Sequence, residues 1–309
     1  MPMTRLPRIA GLLPLAAALL APPPARACSV CACGDPLAAI AETPGNRGSL
    51  RLTLEAEALT MTSGSESAPG MTDELTQWTL RPSVVWSPLT TLNLALTLPI
   101  ANKRMVESGM GMEAPMSDLT GLGDVELGLR WFVFQSVDFG ARLSQSGALM
   151  AGTSFPTGNN DAVQGGVRVD EHGQLGTGGL GPYLGLFYRL GGDVWSGFAT
   201  VTGRYRTENS HGYRYGESLH WAAQGMWQPG SWFAASLSLE GRSAAADRED
   251  GAAVPNTGGL VLALTPAVNF NVFSGGWLFA RAQLPVYTSL LGEQTVGPVF
   301  TAGIRYEAL

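Results

Sequence analysis

The sequence predicts an antiparallel transmembrane β-barrel of about twelve strands, and three observations carry that prediction. Apolar residues recur with period two along most of the chain. The connections between these runs are alternately short and long. Only 14% of the 309 residues are charged, against ~25% in a typical soluble domain, while 45% are hydrophobic and 40 are glycine. A helical membrane protein is excluded because no uncharged apolar stretch of ~18 residues follows the N-terminal region. Apolar and aromatic residues spread along the chain exclude disorder.

Residues 1–27 read as a cleaved signal peptide. Arg5 and Arg8 supply the positive start, Ile9 to Leu20 the apolar stretch, and Ala25-Arg26-Ala27 the small-x-small cleavage pattern. A single-spanning anchor fits less well, because the apolar run is short for a bilayer and Pro14 interrupts it. Lipidation of Cys28 would need a Leu-like residue where the chain has Ala25. Removing residues 1–27 takes three arginines from 19 basic and 25 acidic residues, leaving 16 against 25 and a net charge of −9. That charge argues against nucleic acid as a partner. Residues 28–48 form an N-terminal, periplasmic cysteine-containing segment, and residues 49–309 the barrel.

Strands are expected near 49–60, 75–86, 91–101, 122–133, 138–152, 180–190, 194–206, 213–227, 232–243, 259–272, 277–288 and 294–306. The first alternates Leu50, Leu52, Leu54, Ala56 and Ala58 with Arg51, Thr53, Glu55 and Glu57. The second carries Trp78 and Trp86 on one face. Their eight-residue separation is ~26 Å along a strand, or ~20 Å after a tilt of ~40°, close to the height of the apolar band. The third sets Leu92, Leu94, Leu96, Leu98 and Ile100 against Thr91, Asn93, Ala95, Thr97 and Pro99. The fourth sets Val125, Leu127, Leu129, Trp131 and Val133 against Asp124, Glu126, Gly128, Arg130 and Phe132. The tenth repeats the pattern from Leu260 to Val272. The last presents Phe300, Ala302, Ile304 and Tyr306 on one face, the amphipathic aromatic ending that serves as an insertion signal for the outer-membrane assembly machinery; Glu307, Ala308 and Leu309 extend beyond it. A helical period would place residues i and i+2 apart, and these runs do the opposite.

The segments 87–90, 134–137, 191–193, 228–231 and 273–276 read as tight turns. The intervening 61–74, 102–121, 153–179 and 244–258 are longer and more polar. In bacterial outer-membrane barrels the short turns are periplasmic, so both termini are expected there. Trp86, Trp131, Trp195, Trp227, Trp232 and Trp277 all lie within three residues of an expected short turn and read as a membrane-interface girdle. Trp232 and Trp277 fall on the inward parity of their strands.

The runs GLGDVELGLRWF at 121–132, GTSFPTGN at 152–159 and GTGGLGPYLGLFYRL at 176–190 resemble a family of bacterial outer-membrane barrels loosely called transporters, which includes members associated with phenol-degradation pathways. The resemblance covers about 120–309. It implies an outer-membrane channel or transporter for small solutes, small hydrophobic or aromatic compounds among them, and carries no catalytic residues onto this chain. The segment CSVCACGDP is similar to cysteine-rich mature N-termini on some barrels of this kind.

By parity the lumen is lined by Arg51, Arg81, Arg130, Arg142, Arg204, Arg206, Arg242 and Arg281 against Glu55, Glu57, Asp124, Glu126 and Glu240, with His220 beside Ser218. Such mixed charge reads either as ion pairs that fill a narrow barrel or as a constriction that selects solutes by charge. It suits a polar solute better than a greasy one, in tension with the family resemblance. Cys28, Cys31 and Cys33 are the only cysteines. Their spacing excludes covalent haem, because Ala32 stands where the axial histidine is needed, and a closed zinc site lacks its fourth ligand. A disulfide, Cu(I) on three thiolates, and lipidation stay open. A barrel whose CxxCxC segment is the working part is therefore the rival to a channel. No nucleophile motif accompanies His220, and His172 and His211 fall in expected external loops as solvated residues, so the chain does not read as an enzyme. The loop 156–179 carries Asn159, Asn160, Asp161, Asp170 and Glu171 without the spacing of a defined calcium loop and reads as solvated.

Overall fold

The computed structural model describes residues 45–64, 72–109 and 112–308. The expected signal peptide and all three cysteines lie outside these residues. Twelve strands are built from them: β1 (Leu50–Gly64), β2 (Thr72–Leu89), β3 (Leu92–Thr97 continuing as Ile100–Gly109) and β4 (Met112–Leu122 continuing as Val125–Asp138). Next come β5 (Leu143–Phe155), β6 (Gly181–Gly191), β7 (Trp195–Arg204) and β8 (Ser218–Trp227). The last four are β9 (Phe233–Ala244), β10 (Gly259–Phe273), β11 (Gly276–Leu290) and β12 (Gln294–Val296 continuing as Val299–Ala308). Each pairs antiparallel with its sequence neighbours, and β12 returns to β1 through the register from Leu50↔Ala308 to Ala58↔Phe300. Closure pairs the lipid-facing wall on both sides, as a sheet in hydrocarbon requires, and leaves edges beyond it at Met112–Leu122 and Gln294–Val296.

The period-two pattern decides which side chains face lipid. Along β1, Arg51, Thr53, Glu55, Glu57, Leu59 and Met61 are buried while Leu52, Leu54, Ala56, Ala58 and Thr60 are exposed on the wall. The outer surface continues through Leu127, Leu129, Leu184, Leu186, Leu237, Leu239, Phe300 and Ile304, all exposed. Apolar outside and charged inside is the inverse of a soluble domain and places the protein in the bacterial outer membrane.

Two departures from the sequence reading concern length. Residues 102–121, expected as a loop, mostly extend the wall: Ile100–Gly109 pairs with Met112–Leu122 on one side and with Thr72–Leu80 on the other. Beyond the membrane both faces of a strand are wet, so no alternation is demanded and the extension is silent in a periodicity count. Residues 134–137, expected as a turn, belong to β4; a bulge between Phe132 and Phe134 shifts the register, and the reversal falls at 139–142.

That shift moves Arg142 out of the lumen. It lies in the turn with φ 51°, its side chain 76% exposed, paired with Asp193 at 2.9 Å. Asp124 also leaves the wall, standing between the two halves of β4, where Oδ1 accepts from the Gly158 amide at 3.1 Å and Oδ2 from the Thr177 amide at 2.9 Å. It anchors the loop after β5 to the barrel.

Candidate functional site

Three layers of side chains fill the interior from the short-turn end upward. In the first, Arg51 pairs with Glu307 at 3.2 Å beside Arg189 and Arg305. In the second, Arg81 bonds Glu55 at 3.2 Å and Glu57 at 2.7 Å, all three buried, and Arg281 reaches Glu55 at 4.0 Å. In the third, Arg204 holds Glu126 with both terminal nitrogens at 3.0 Å, while Glu240 accepts from Gln283 at 2.8 Å. Pairing is what permits these charges inside a barrel, since an isolated buried charge is far costlier.

Opposite the β1–β2 charges, one wall is apolar. Phe132, Ala148, Met150, Tyr183, Phe187 and Phe198 pack into a cluster inside the barrel. Arg130, 1% exposed, lies at their centre with its guanidinium carbon 4.3 Å from the Phe187 ring centroid and Nη2 3.5 Å from Met150 Sδ. Arg204 lies 4.9 Å from the Tyr183 ring centroid and Arg206 5.3 Å from that of Tyr215. Each arginine presents a cation next to an aromatic face, an arrangement favourable where water is scarce. Gly152 makes room for it, because a Cβ there would overlap the Leu127 carbonyl and the Tyr183 hydroxyl.

His220 donates to or accepts from Ser218 Oγ at 3.2 Å, on the strand face opposite Arg242 in the neighbouring strand. The charges that act on His220 come from Arg242, Arg204 and Arg206, and among the described residues no carboxylate is bonded to it as the orienting acid of a nucleophilic triad would be.

The loop end is covered. The loop 156–180 and those at 205–217 and 245–258 converge on Asp247, which is fully buried. Its Oδ2 lies 3.1 Å from His172 Nε2 and accepts from the Tyr213 hydroxyl at 2.8 Å, and its Oδ1 accepts from the Gly216 amide at 2.7 Å. Tyr215 donates to the Glu171 carbonyl at 2.9 Å, Arg168 pairs with Glu171 at 2.7 Å, and Lys103 of β3 donates to the His172 carbonyl at 3.1 Å. Glu171, expected as solvated, is therefore buried in a lid and His172 half-buried beside it; His211 pairs with Asp161 at 3.5 Å. Sequence alone offered no signal for this, since the contacts join residues far apart in three loops.

Of the six tryptophans expected at the interface, Trp86, Trp131, Trp195, Trp227 and Trp232 are exposed near the short turns, with Trp195 and Trp227 rings 6.2 Å apart. Trp277 instead lines the interior, as its parity indicated. Arg189, Arg305 and Glu307 were missed as lumen residues, although the alternation of β6 and β12 already assigned them to the inward face.

No family model and no curated protein matches the chain. Among solved structures, the crystal structure of an outer-membrane channel from Pseudomonas putida F1 matches with a TM-score of 0.63 and 14% identity, over 86% of this chain and 97% of that one. The translocator domain of the autotransporter NalP from Neisseria meningitidis has a TM-score of 0.44 and 15% identity over 85% and 89%. The CymD monoaromatic hydrocarbon channel has 0.43 and 8% over 85% and 88%. The similarity to the Pseudomonas channel is one of fold, a closed antiparallel barrel of the bacterial outer membrane.

Proposed function

We propose that the protein is an outer-membrane channel for small solutes, with its short turns and termini in the periplasm and its lid outside. The interior carries this reading. Buried ion pairs stabilise a fold no better than packed apolar side chains of similar volume. A barrel that served only as an anchor gains nothing from an interior of stacked arginines and glutamates. Cavities of 170 Å³ at the short-turn end and 310 Å³ beneath the lid flank the charged layers, marking the route a solute follows. Guanidiniums lying against Phe187, Tyr183 and Tyr215 favour solutes that combine a polar group with a flat apolar body, which reconciles the charged lumen with the resemblance to phenol-degradation-associated barrels. The outward Phe300, Ile304 and Tyr306 of β12 are the surface offered to the assembly machinery during insertion.

Single-channel recording of the refolded protein in planar bilayers tests the reading. Discrete current steps are expected, with and without residues 28–48. Silence of both forms at all voltages overturns it.

A further inference from the structure

Arg242 of β9 is set apart from the other arginines that the strands point inward. Alternation along β9 exposes Leu237 and Leu239 to lipid and turns Ser238, Glu240 and Arg242 to the lumen. There Arg51, Arg81, Arg204 and Arg281 each reach a carboxylate, and Arg130 and Arg206 lie against aromatic rings. The half-buried Arg242 guanidinium has no ion pair and no hydrogen bond among the described residues, and its Nε is shut off from solvent without a partner. The carboxylates around it are engaged elsewhere: Glu240, two residues before it on the same face, takes the Gln283 amide, and Glu126 accepts from both terminal nitrogens of Arg204. The register partners of Arg242 are His220 on one side and Val261 on the other, and His220 is itself held by the Ser218 hydroxyl at 3.2 Å. A guanidinium half-withdrawn from water and left unpaired costs stability, and inside a membrane wall such a group marks the path of a solute.

We infer that Arg242 is the docking point for a solute carboxylate: the acid group of a small organic acid pairs with its guanidinium while a short apolar body lies along Val261. The planar guanidinium fork takes a carboxylate through two parallel N–H···O bonds, which a neutral amide of the same shape, with one acceptor oxygen, does not reproduce. Val261 carries no polar group, so what it adds is apolar contact for the carbon chain. Arg242 stands two residues from the lid end of β9, so a solute that has passed the lid meets it before the ion-paired layer of Arg81. The inference rests on the channel reading and deepens it by naming a solute class.

The thermal unfolding midpoint of the full refolded barrel in detergent micelles, read by tryptophan fluorescence at fixed ionic strength, tests the site without requiring current to flow. Butyrate is the probe and butyramide its neutral counterpart, since a ligand that binds only the folded barrel raises the midpoint by mass action. A saturable rise with butyrate is expected, with butyramide at least about tenfold weaker, the scale of one charge-assisted hydrogen bond. Arg242→Gln should weaken butyrate about tenfold, whereas Arg142→Gln, in the exposed turn, should leave it unchanged. Where Arg242→Gln fails to refold, Arg242→Lys decides, because it keeps the charge, loses the fork and should weaken butyrate several-fold. Equal responses to the two probes, or an Arg242 variant that responds to butyrate as the native chain does, overturns the site. Current steps in planar bilayers without a butyrate response would leave the channel standing and remove the site; a butyrate response that Arg242→Gln abolishes, without current, would do the reverse.

Discussion

At the short-turn end the chain reverses through a few residues between strands and leaves a cavity lined, among the described residues, by Arg51, Arg189, Arg305 and Glu307, whereas at the loop end three long connections fold together over a buried aspartate. Tight turns are too short to reach the barrel axis, so that mouth is shaped by what the strands themselves point inward. Long loops reach the axis but must satisfy their own backbone and side-chain polar groups when buried there. The result is a division of labour. The strand-built mouth is lined by what the wall supplies, and the loop-built one is covered by the lid.

That contrast can be broken at defined places. The largest effect is expected at the charged layer between the two mouths. Glu57→Leu removes the closest partner of buried Arg81 and should cost about 3–5 kcal/mol, read as a lower midpoint of unfolding on heat-modifiable gel migration. An unchanged midpoint would show that Glu55 alone compensates Arg81.

Next is Asp247→Ala. It removes the acceptor of the Gly216 amide and one partner each of the Tyr213 hydroxyl and His172, a loss of about 1–3 kcal/mol confined to the lid. Hydrogen exchange should rise in 156–180, 205–217 and 245–258 while the strands stay protected, and open-channel current should increase. Protection lost evenly across the barrel would contradict a separately held lid.

A smaller change is expected from Gly152→Ala, which forces a methyl group against the Leu127 carbonyl and the Tyr183 hydroxyl and should destabilise by about 1–3 kcal/mol. Its signature is altered conductance through displacement of Tyr183 and, with it, Arg204. Smallest of all is Arg142→Ala. The ion pair with Asp193 is exposed on both sides, so stability should move by less than about 0.5 kcal/mol and anion selectivity not at all. A shift in selectivity would return Arg142 to the lumen.

Much of the wall was legible in the sequence because a lipid-facing strand has no freedom: every second residue in hydrocarbon must be apolar, so Leu52, Leu54, Leu127 and Leu129 declare their face. The same constraint marked Arg51, Arg81, Glu126 and Arg130 as interior. It ended where the hydrocarbon ends. At 102–121 the wall continued in water without alternation, and at Arg142 the strand had not yet begun, because β4 runs on to Asp138 and the reversal takes up 139–142.

The amino-acid sequence by itself determined the barrel, its approximate strand number and the sign of the residues along each inward face, because these follow from local periodicity against a two-phase solvent. Only the tertiary structure decided which charges meet. The pairing of Arg81 with Glu55 and Glu57 crosses between strands in register, that of Arg204 with Glu126 reaches from β7 to β4 past two intervening strands, and the gathering of His172, Tyr213 and Gly216 on Asp247 joins three loops. Such contacts depend on shear, tilt and loop reach, which are properties of the closed sheet and leave no periodic trace in the chain.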